Sequence, residues 1–450
     1  MPDSPAPAVA TTGPAKASRR AWIAMGIAAF VYFMAVVHRT SFGIAGIEAS
    51  ERFGIEATTL SVLAMVQIAV YASMQLPAGS LIDRFGSRAV LIGGSLIMAA
   101  GQLLLATTPA LAGAVIARVL IGLGDAPIFI AGNQIAAKYF PARQVPVIVQ
   151  SLGLIGQLGQ VASAIPVAFL LHQQGWSATF ATLAALGLAA AASVIVGIRR
   201  PPTADAAAAS VSAVPTARVT LREAIRPAGV KLGFWTHWLG LIGPNTIALL
   251  WGVPFLVQAQ GLEATTASGL LTVMVVANVC AGPVLGVLTG RHPLRRSWLV
   301  LAISVVAAAT WASVLIPSTP RPLWQLVLWL AVTGVSGPAS LIGLDFARTH
   351  GIAGRGGAAT GFANIGGFAA TVVAVLLVGV ALQAVSPAGV SEYTLDEYRI
   401  GLSTTALPWA VGIVGVLWAR RRTRAEMAAA GVIVPPIREV LARRRAARRR

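Results

Sequence analysis

The chain has 450 residues, 56% of them hydrophobic and only 11% charged, with a mean hydropathy of +0.77. This composition excludes a soluble globular domain, because runs of 18 or more mostly apolar residues belong in membrane helices. The net charge is +19, yet all but five of the 34 Lys+Arg (Arg39, Arg52, Arg118, Arg321 and Arg399) fall on one side of the predicted spans, so the excess reads as a topology signal and not as nucleic-acid binding.

Residues 1–20 are rich in Pro, Ala and Thr and read as a disordered cytoplasmic N-terminus. Arg19-Arg20 precede an apolar run too long for an export signal, with no small-residue cleavage site after it, so an uncleaved first span is expected. Spans are predicted over 21–45, 59–80, 89–107, 110–136, 145–171 and 176–198, forming an N-terminal six-helix bundle over 21–198. A cytoplasmic linker at 199–232 ends in Thr220–Arg226, which reads as a short amphipathic helix on the inner surface. Six more spans follow at 233–258, 265–288, 297–317, 322–346, 357–382 and 402–419, a C-terminal bundle over 233–419. The tail, 420–450, closes on Arg-Arg-Arg-Ala-Ala-Arg-Arg-Arg and is expected to lie on anionic lipid headgroups. The basic asymmetry puts both termini in the cytoplasm and the chain in the plasma (inner) membrane. The acids Glu48, Glu51, Glu56, Glu263, Glu392, Asp396 and Glu397 fall outside. The fold class is thus an all-α membrane protein of twelve transmembrane helices in two pseudo-symmetric six-helix bundles. The single cysteine, Cys280, lies in an apolar span and reads as a buried thiol.

The halves repeat. Residues 79–88 read Gly-Ser-Leu-Ile-Asp-Arg-Phe-Gly-Ser-Arg, and 286–295 read Gly-Val-Leu-Thr-Gly-Arg-His-Pro-Leu-Arg, each a short basic turn after the second span of its half. Gly79 permits close helix packing, and Gly86 permits a turn with positive φ. The pair of turns is similar to the signature of the major facilitator superfamily of secondary transporters. The resemblance covers about residues 21–420 and implies two halves, related by an axis along the membrane normal, that rock to give alternating access. It also implies that the first turn (Gly79, Asp83, Arg84, Gly86, Arg88) is a gate, with Asp83 capping a helix that begins near Gly357. In the second turn (Gly286, Arg291) Gly290 replaces the acid, so the gate is asymmetric. An ordinary topogenic basic turn is the alternative.

The fourth span holds Arg118-Val-Leu-Ile-Gly122-Leu-Gly124-Asp125, which resembles the superfamily's second motif. Arg118 and Asp125 are seven apart and share a helix face. Each costs about 3 kcal/mol at mid-membrane and needs a partner or water, which points to a substrate or proton site or to a structural ion pair. Arg39, beside His38 at the end of the first span, points into a cavity or snorkels to the interface. Gln67, Tyr71 and Gln75 form one polar stripe on the second span. Gln157 and Gln160 lie within a glycine ladder, Gly153, Gly156 and Gly159. The drug/proton antiporters of the superfamily carry a glycine–proline pattern in this span, and the proline is displaced here to Pro166. Asn245, Asn278 and Asn364 are single polar groups that serve as helix–helix glue or as ligands. Trp251 and Pro254 suggest a kinked span with an aromatic at the outer gate, His237 reads as interfacial, and Asp345 pairs with Arg348.

No nucleotide loop, metal cluster or nucleophile motif is read in the sequence, so no enzymatic activity, cofactor or metal is expected. Because Arg39 and Arg118 are cationic, the expected function is proton-coupled uptake of a small organic anion by a monomeric symporter, its partners being the substrate, protons and membrane lipids, with no nucleic acid. An exporter of drugs or amphiphilic metabolites and a non-transporting membrane receptor are the alternatives.

Overall fold

A computed structural model describes residues 17–55, 57–198, 220–386, 393–432, 435 and 439. The start of the N-terminus, most of the linker, Glu56, Glu392 and the end of the basic tail, for which disorder, sidedness or lipid contact were expected, lie outside the described residues. Among the described residues every regular element is helical, and ten helices are long and apolar enough to cross a membrane. Two of the long helices bend at glycines in the left-handed region, Gly86 (φ 79°) and Gly175 (φ 74°), where a side chain would be strained. Dividing them there, and counting residues 75–85 with Ala57–Ser73 as one span, gives twelve segments at the places where twelve were expected.

The chain divides into two compact units, residues 1–67 with 85–202, and residues 68–84 with 203–450. The first unit holds α1 (Arg19–Ile44), the short α2 (Gly46–Phe53) and α3 (Ala57–Ser73) as far as Gln67. Then come α4 (Gln75–Thr107) from Phe85 on, α5 (Leu111–Tyr139) and α6 (Val145–Gly197). Contacts between small residues set the spacing, as expected where lipid offers no hydrophobic drive for helix association. A Cβ on Gly124 of α5 would strike the backbone of Gly94 on α4, and one on Gly156 of α6 would strike the ring of Tyr32 on α1. An apolar cluster of Phe42, Leu105, Trp176 and Phe180 fills one end of the unit.

The second unit adds a short α7 (Leu221–Ala224) with a reciprocal cap between Thr220 and Glu223, whose carboxylate the Thr220 N–H holds below the usual range. It continues with α8 (Ala228–Thr246), which runs into two π-turns at Ile247–Trp251 and Phe255–Ala259 around Gly252–Pro254. The rest is α9 (Ala264–Arg291), α10 (Arg296–Leu315), α11 (Leu323–Ser340), α12 (Ile342–His350), α13 (Gly356–Val385), α14 (Leu395–Ser403) and α15 (Ala406–Ala429). Helix α8 packs against α11, α12, α13 and α15. Four aromatic rings, Phe255, Trp311, Trp329 and Trp409, meet edge to face in the core beside it. Residues 68–84, from the predicted second span, belong to this unit and not to the one that holds the rest of the first half.

Candidate functional site

In the first unit three helices bring polar groups together. Arg39, five residues from the end of α1, makes a two-pronged pair with Asp125 of α5. Its Nε donates to Oδ2 at 2.7 Å and its Nη2 to Oδ1 at 2.9 Å. The Asp125 side chain is fully buried, while that of Arg39 is 28% exposed. Two helical turns back on α5, Arg118 is buried, with its guanidinium carbon 4.5 Å from the centre of the Phe42 ring. Its Nε donates to the carbonyl of Leu63 at 3.3 Å, and its Nη1 has no hydrogen-bond partner. Gln67 lies one turn beyond Leu63 on the same face of α3, also buried, with neither its amide nitrogen nor its oxygen bonded. A buried donor or acceptor without a partner costs about 1–3 kcal/mol, and more when charged. Here that cost falls on a guanidinium and an amide that together offer what an anion with hydroxyls or further oxygens requires.

The sequence placed Arg118 and Asp125 on one face correctly but gave Asp125 the wrong neighbour. Spacing along one helix does not reveal which adjacent helix supplies the counter-charge, and both carboxylate oxygens are taken by Arg39. Arg39 accordingly points inward to α5. On α6, Gln157 is half-buried, and the glycines beside it receive Tyr32 and Phe33 of α1.

In the second unit the embedded asparagines join helices. Asn364 of α13 donates from Nδ2 to Gln75 Oε1 at 2.5 Å, and Gln75 Nε2 donates to the Tyr71 carbonyl at 3.0 Å. The Tyr71 ring meets Phe368 edge-on at 5.0 Å. Asn245 donates to Thr371 Oγ1 at 2.8 Å, and Asn278 lies so close to Gly337 that a Cβ there would strike its amide. The Trp251 indole N–H donates to the Val375 carbonyl at 3.3 Å, fixing the π-wound end of α8 to α13. The polar stripe of the second span is therefore divided, with Gln67 in the first unit and Tyr71 and Gln75 in the second.

The first signature turn meets the start of α13. Asp83 Oδ1 accepts the N–H of Gly357 at 2.7 Å and Oδ2 that of Ala358 at 2.9 Å, a carboxylate on the positive end of a helix. A Cβ on Gly79 would collide with the Gly357 carbonyl, so this approach requires glycine. Arg84 is exposed, and Arg88 donates to the carbonyls of Ile195 and Ile198 at the end of α6. In the second turn Gly286 is buried and Arg291 exposed. There Arg295, at the position matching Arg88, donates to the Pro435 carbonyl at 3.2 Å.

Several features were missed or misread in the sequence. The Asp345–Arg348 pair is present but incomplete, because Arg296 of α10 also donates to Asp345 and to Thr349. A partner 49 residues away leaves no local signal. His237 is not interfacial. Helix α8 starts at Ala228, so the ring is carried into the interior, where it is 2% exposed and its Nδ1 donates to the Ser340 carbonyl at 3.1 Å. Cys280 is exposed, because an apolar span alone does not tell which face a residue occupies. Glu426 of α15 accepts the Ala228 N–H and so caps α8.

The chain is similar to a protein of Escherichia coli K12 named as a probable galactarate/D-glucarate transporter, with 26% identity over 287 residues, 58% of this chain and 63% of that protein. It is also similar to a probable L-galactonate transporter of the same organism, with 26% identity over 35% of this chain and 36% of that protein. A probable sulfoacetate transporter of Cupriavidus necator is 24% identical over 36% of this chain and 38% of that protein. The matches thus span less than two thirds of each of these relatives. Among solved structures, the transporter FucP in its outward conformation superposes with a TM-score of 0.62 over 89% of this chain and 99% of that one, at 15% identity, a likeness of fold. The family model of the Major Facilitator Superfamily matches residues 25–375, and the chain belongs to that superfamily.

Proposed function

We propose that this protein is a secondary transporter that carries a small organic anion across the plasma membrane together with protons, by alternating access of the bundles 21–198 and 233–419. In this reading it acts as a monomer in the uptake direction, with both termini in the cytoplasm and the basic tail on anionic lipid. The observation that carries the reading is the pair of unmet needs at Arg118 and Gln67, buried beside a carboxylate already committed to Arg39. An anion is the ligand that completes such a guanidinium. Galactarate, D-glucarate, L-galactonate and sulfoacetate, for which the relatives are named, are all small anions at neutral pH.

Coupling follows from charge balance. In this reading Asp125 begins as a carboxylate balanced by Arg39, which holds both of its oxygens. A substrate anion that binds Arg118 and draws Arg39 towards it leaves Asp125 without a counter-charge in a medium where water is scarce, and Asp125 then takes a proton. The loaded site crosses with anion and proton together, and release of the anion restores the Arg39–Asp125 pair. Asp83 on the start of α13 acts as the gate that must let go between the two states.

The test uses proteoliposomes and a panel of galactarate, D-glucarate, L-galactonate and sulfoacetate. Asp125→Asn is expected to abolish accumulation driven by a proton gradient while retaining counterflow exchange. If Asp125→Asn still concentrates substrate against its gradient, the coupling assignment is wrong. If no anion of the panel moves in the unmodified protein, the substrate class is wrong.

A further inference from the structure

Seven arginines crowd the end of the second unit where α8, α10 and α13 begin and α12 and α15 finish: Arg295, Arg296, Arg348, Arg420, Arg421, Arg422 and Arg424. The acids are spent elsewhere. Asp345 holds Arg296 and Arg348, and Glu426 accepts the Ala228 N–H. Among the described residues, Arg295, Arg420, Arg421, Arg422 and Arg424 form no ion pair. Arg420 and Arg424 are four apart on α15 and share a face. That face meets the start of α10, because the Arg420 Nε donates to Ser297 Oγ at 3.1 Å, two residues after Arg295.

A tryptophan borders the Arg420–Arg424 face, and a second lies on the far side of α15. The Arg420 guanidinium lies 4.4 Å from the centre of the Trp298 ring, and that of Arg422 lies 4.7 Å from Trp418. Both indoles are large apolar groups left about 40% exposed, Trp298 at 42% and Trp418 at 40%. Indoles at the ends of membrane helices mark headgroup depth. A guanidinium stacked on a ring keeps its N–H edge free for a phosphate or carboxylate oxygen.

We propose that the cleft between α10 and the end of α15 is a binding site for an anionic phospholipid. Arg420, Arg424 and Arg295 receive its phosphate, and its acyl chains run along Trp298. The occupant is a lipid and not a soluble anion because the charges lie at the ends of two membrane-length segments, Arg296–Leu315 and Leu395–Ala429, with the half-exposed Trp298 indole beside them. A bound headgroup would tie α10 to α15 across charges that otherwise repel. The proposal rests on the orientation given above, which places this end in the anionic cytoplasmic leaflet, but its test requires neither transport nor a known substrate.

The full chain, purified in a neutral detergent, is mixed with phosphatidylglycerol or phosphatidylcholine, and retained lipid is read by native mass spectrometry alongside the melting midpoint. Phosphatidylglycerol is expected to be retained and to raise the midpoint, while phosphatidylcholine does neither. Arg420→Gln with Arg424→Gln is expected to reduce retention about tenfold. Arg143→Gln, at an exposed arginine of the first unit, is expected to leave it unchanged. Should the double glutamine variant fail to fold, Arg420→Lys with Arg424→Lys keeps the charge and is expected to retain most of the lipid. Equal retention of the two lipids, or undiminished retention in the glutamine variant, overturns the site and assigns the basic tail as the sole anchor. An equal rise of the midpoint with inorganic phosphate alone overturns the lipid in favour of a soluble anion.

Discussion

Among the described residues each unit buries one carboxylate with two guanidiniums, and the two clusters are wired differently. In the second unit Asp345 bridges both cations, Oδ2 to Arg296 and Oδ1 to Arg348, while Arg296 also bonds Thr349 and stacks 4.1 Å over Phe346. Only the Arg296 Nε is left without a partner there. In the first unit Arg39 takes both oxygens of Asp125, and Arg118 is left with a backbone carbonyl and a ring. The same residue types thus make a closed ion network in one unit and an open one in the other. A closed network holds helices together. In the proposed reading an open one holds a cation ready, at a cost in stability that the substrate offsets.

The comparison breaks most sharply at Arg296. Arg296→Met leaves Asp345 buried with one partner instead of two, and removing one member of a buried ion network costs about 3–5 kcal/mol. The expected outcome is a much lower yield and melting midpoint, with the KM of the surviving protein unchanged. A folded, stable Arg296→Met with a large rise in KM would move the substrate contact to the second unit.

Arg118→Met is the mirror experiment. It removes a buried guanidinium whose Nη1 has no partner, so stability is expected to hold or rise. Transport should fall by about ten- to a hundredfold, since a charged hydrogen bond is worth about 1.5–3 kcal/mol. Loss of stability without any change in KM would make Arg118 structural and remove the contrast between the clusters.

The reason one cluster was legible in the sequence and the other was not is physical. A charge inside an apolar run announces itself, which exposed Arg39, Arg118 and Asp125, and seven-residue spacing fixed a common face for two of them. Arg296 sits at the edge of a span, where an arginine reads as a topological anchor, and its partner lies on another helix. The helices were legible because apolar length is a local property, as is the left-handed turn at Gly86, whereas the one at Gly175 was not read. The Asp83 contact with Gly357 and Ala358 was reachable only through family resemblance, since nothing local links residue 83 to residue 357. His237 was misread because its helix begins at Ala228, before the predicted span, and Cys280 because of the way it faces. Hydropathy gives depth along a span but not the direction in which a side chain faces.

Asp83→Asn is expected to have a smaller effect. A carboxylate at a helix N-terminus contributes about 0.3–2 kcal/mol, and the amide keeps one acceptor for the two N–H groups of Gly357 and Ala358. The second turn carries Gly290 at the matching place and has no such acid to lose. Transport should drop several-fold with yield intact, and cysteine probes near residue 357 should label faster. Unchanged labelling would reduce this contact to packing.

The smallest effect tests the open cluster most finely. Gln67 is 1% exposed and neither end of its amide is bonded, so Gln67→Leu exchanges an unmet polar group for an apolar one of similar size. If the amide has only a structural role, the exchange is neutral or stabilising and transport is unaffected. If it completes the anion site beside Arg118, KM rises about fivefold, the value of roughly 1 kcal/mol from a neutral hydrogen bond, while the melting midpoint stays level or climbs. The two outcomes separate on KM alone. A rise there, together with unchanged stability, assigns the empty hydrogen-bonding capacity of the first unit to a ligand, in contrast with the second unit, where Arg296 and Arg348 share Asp345.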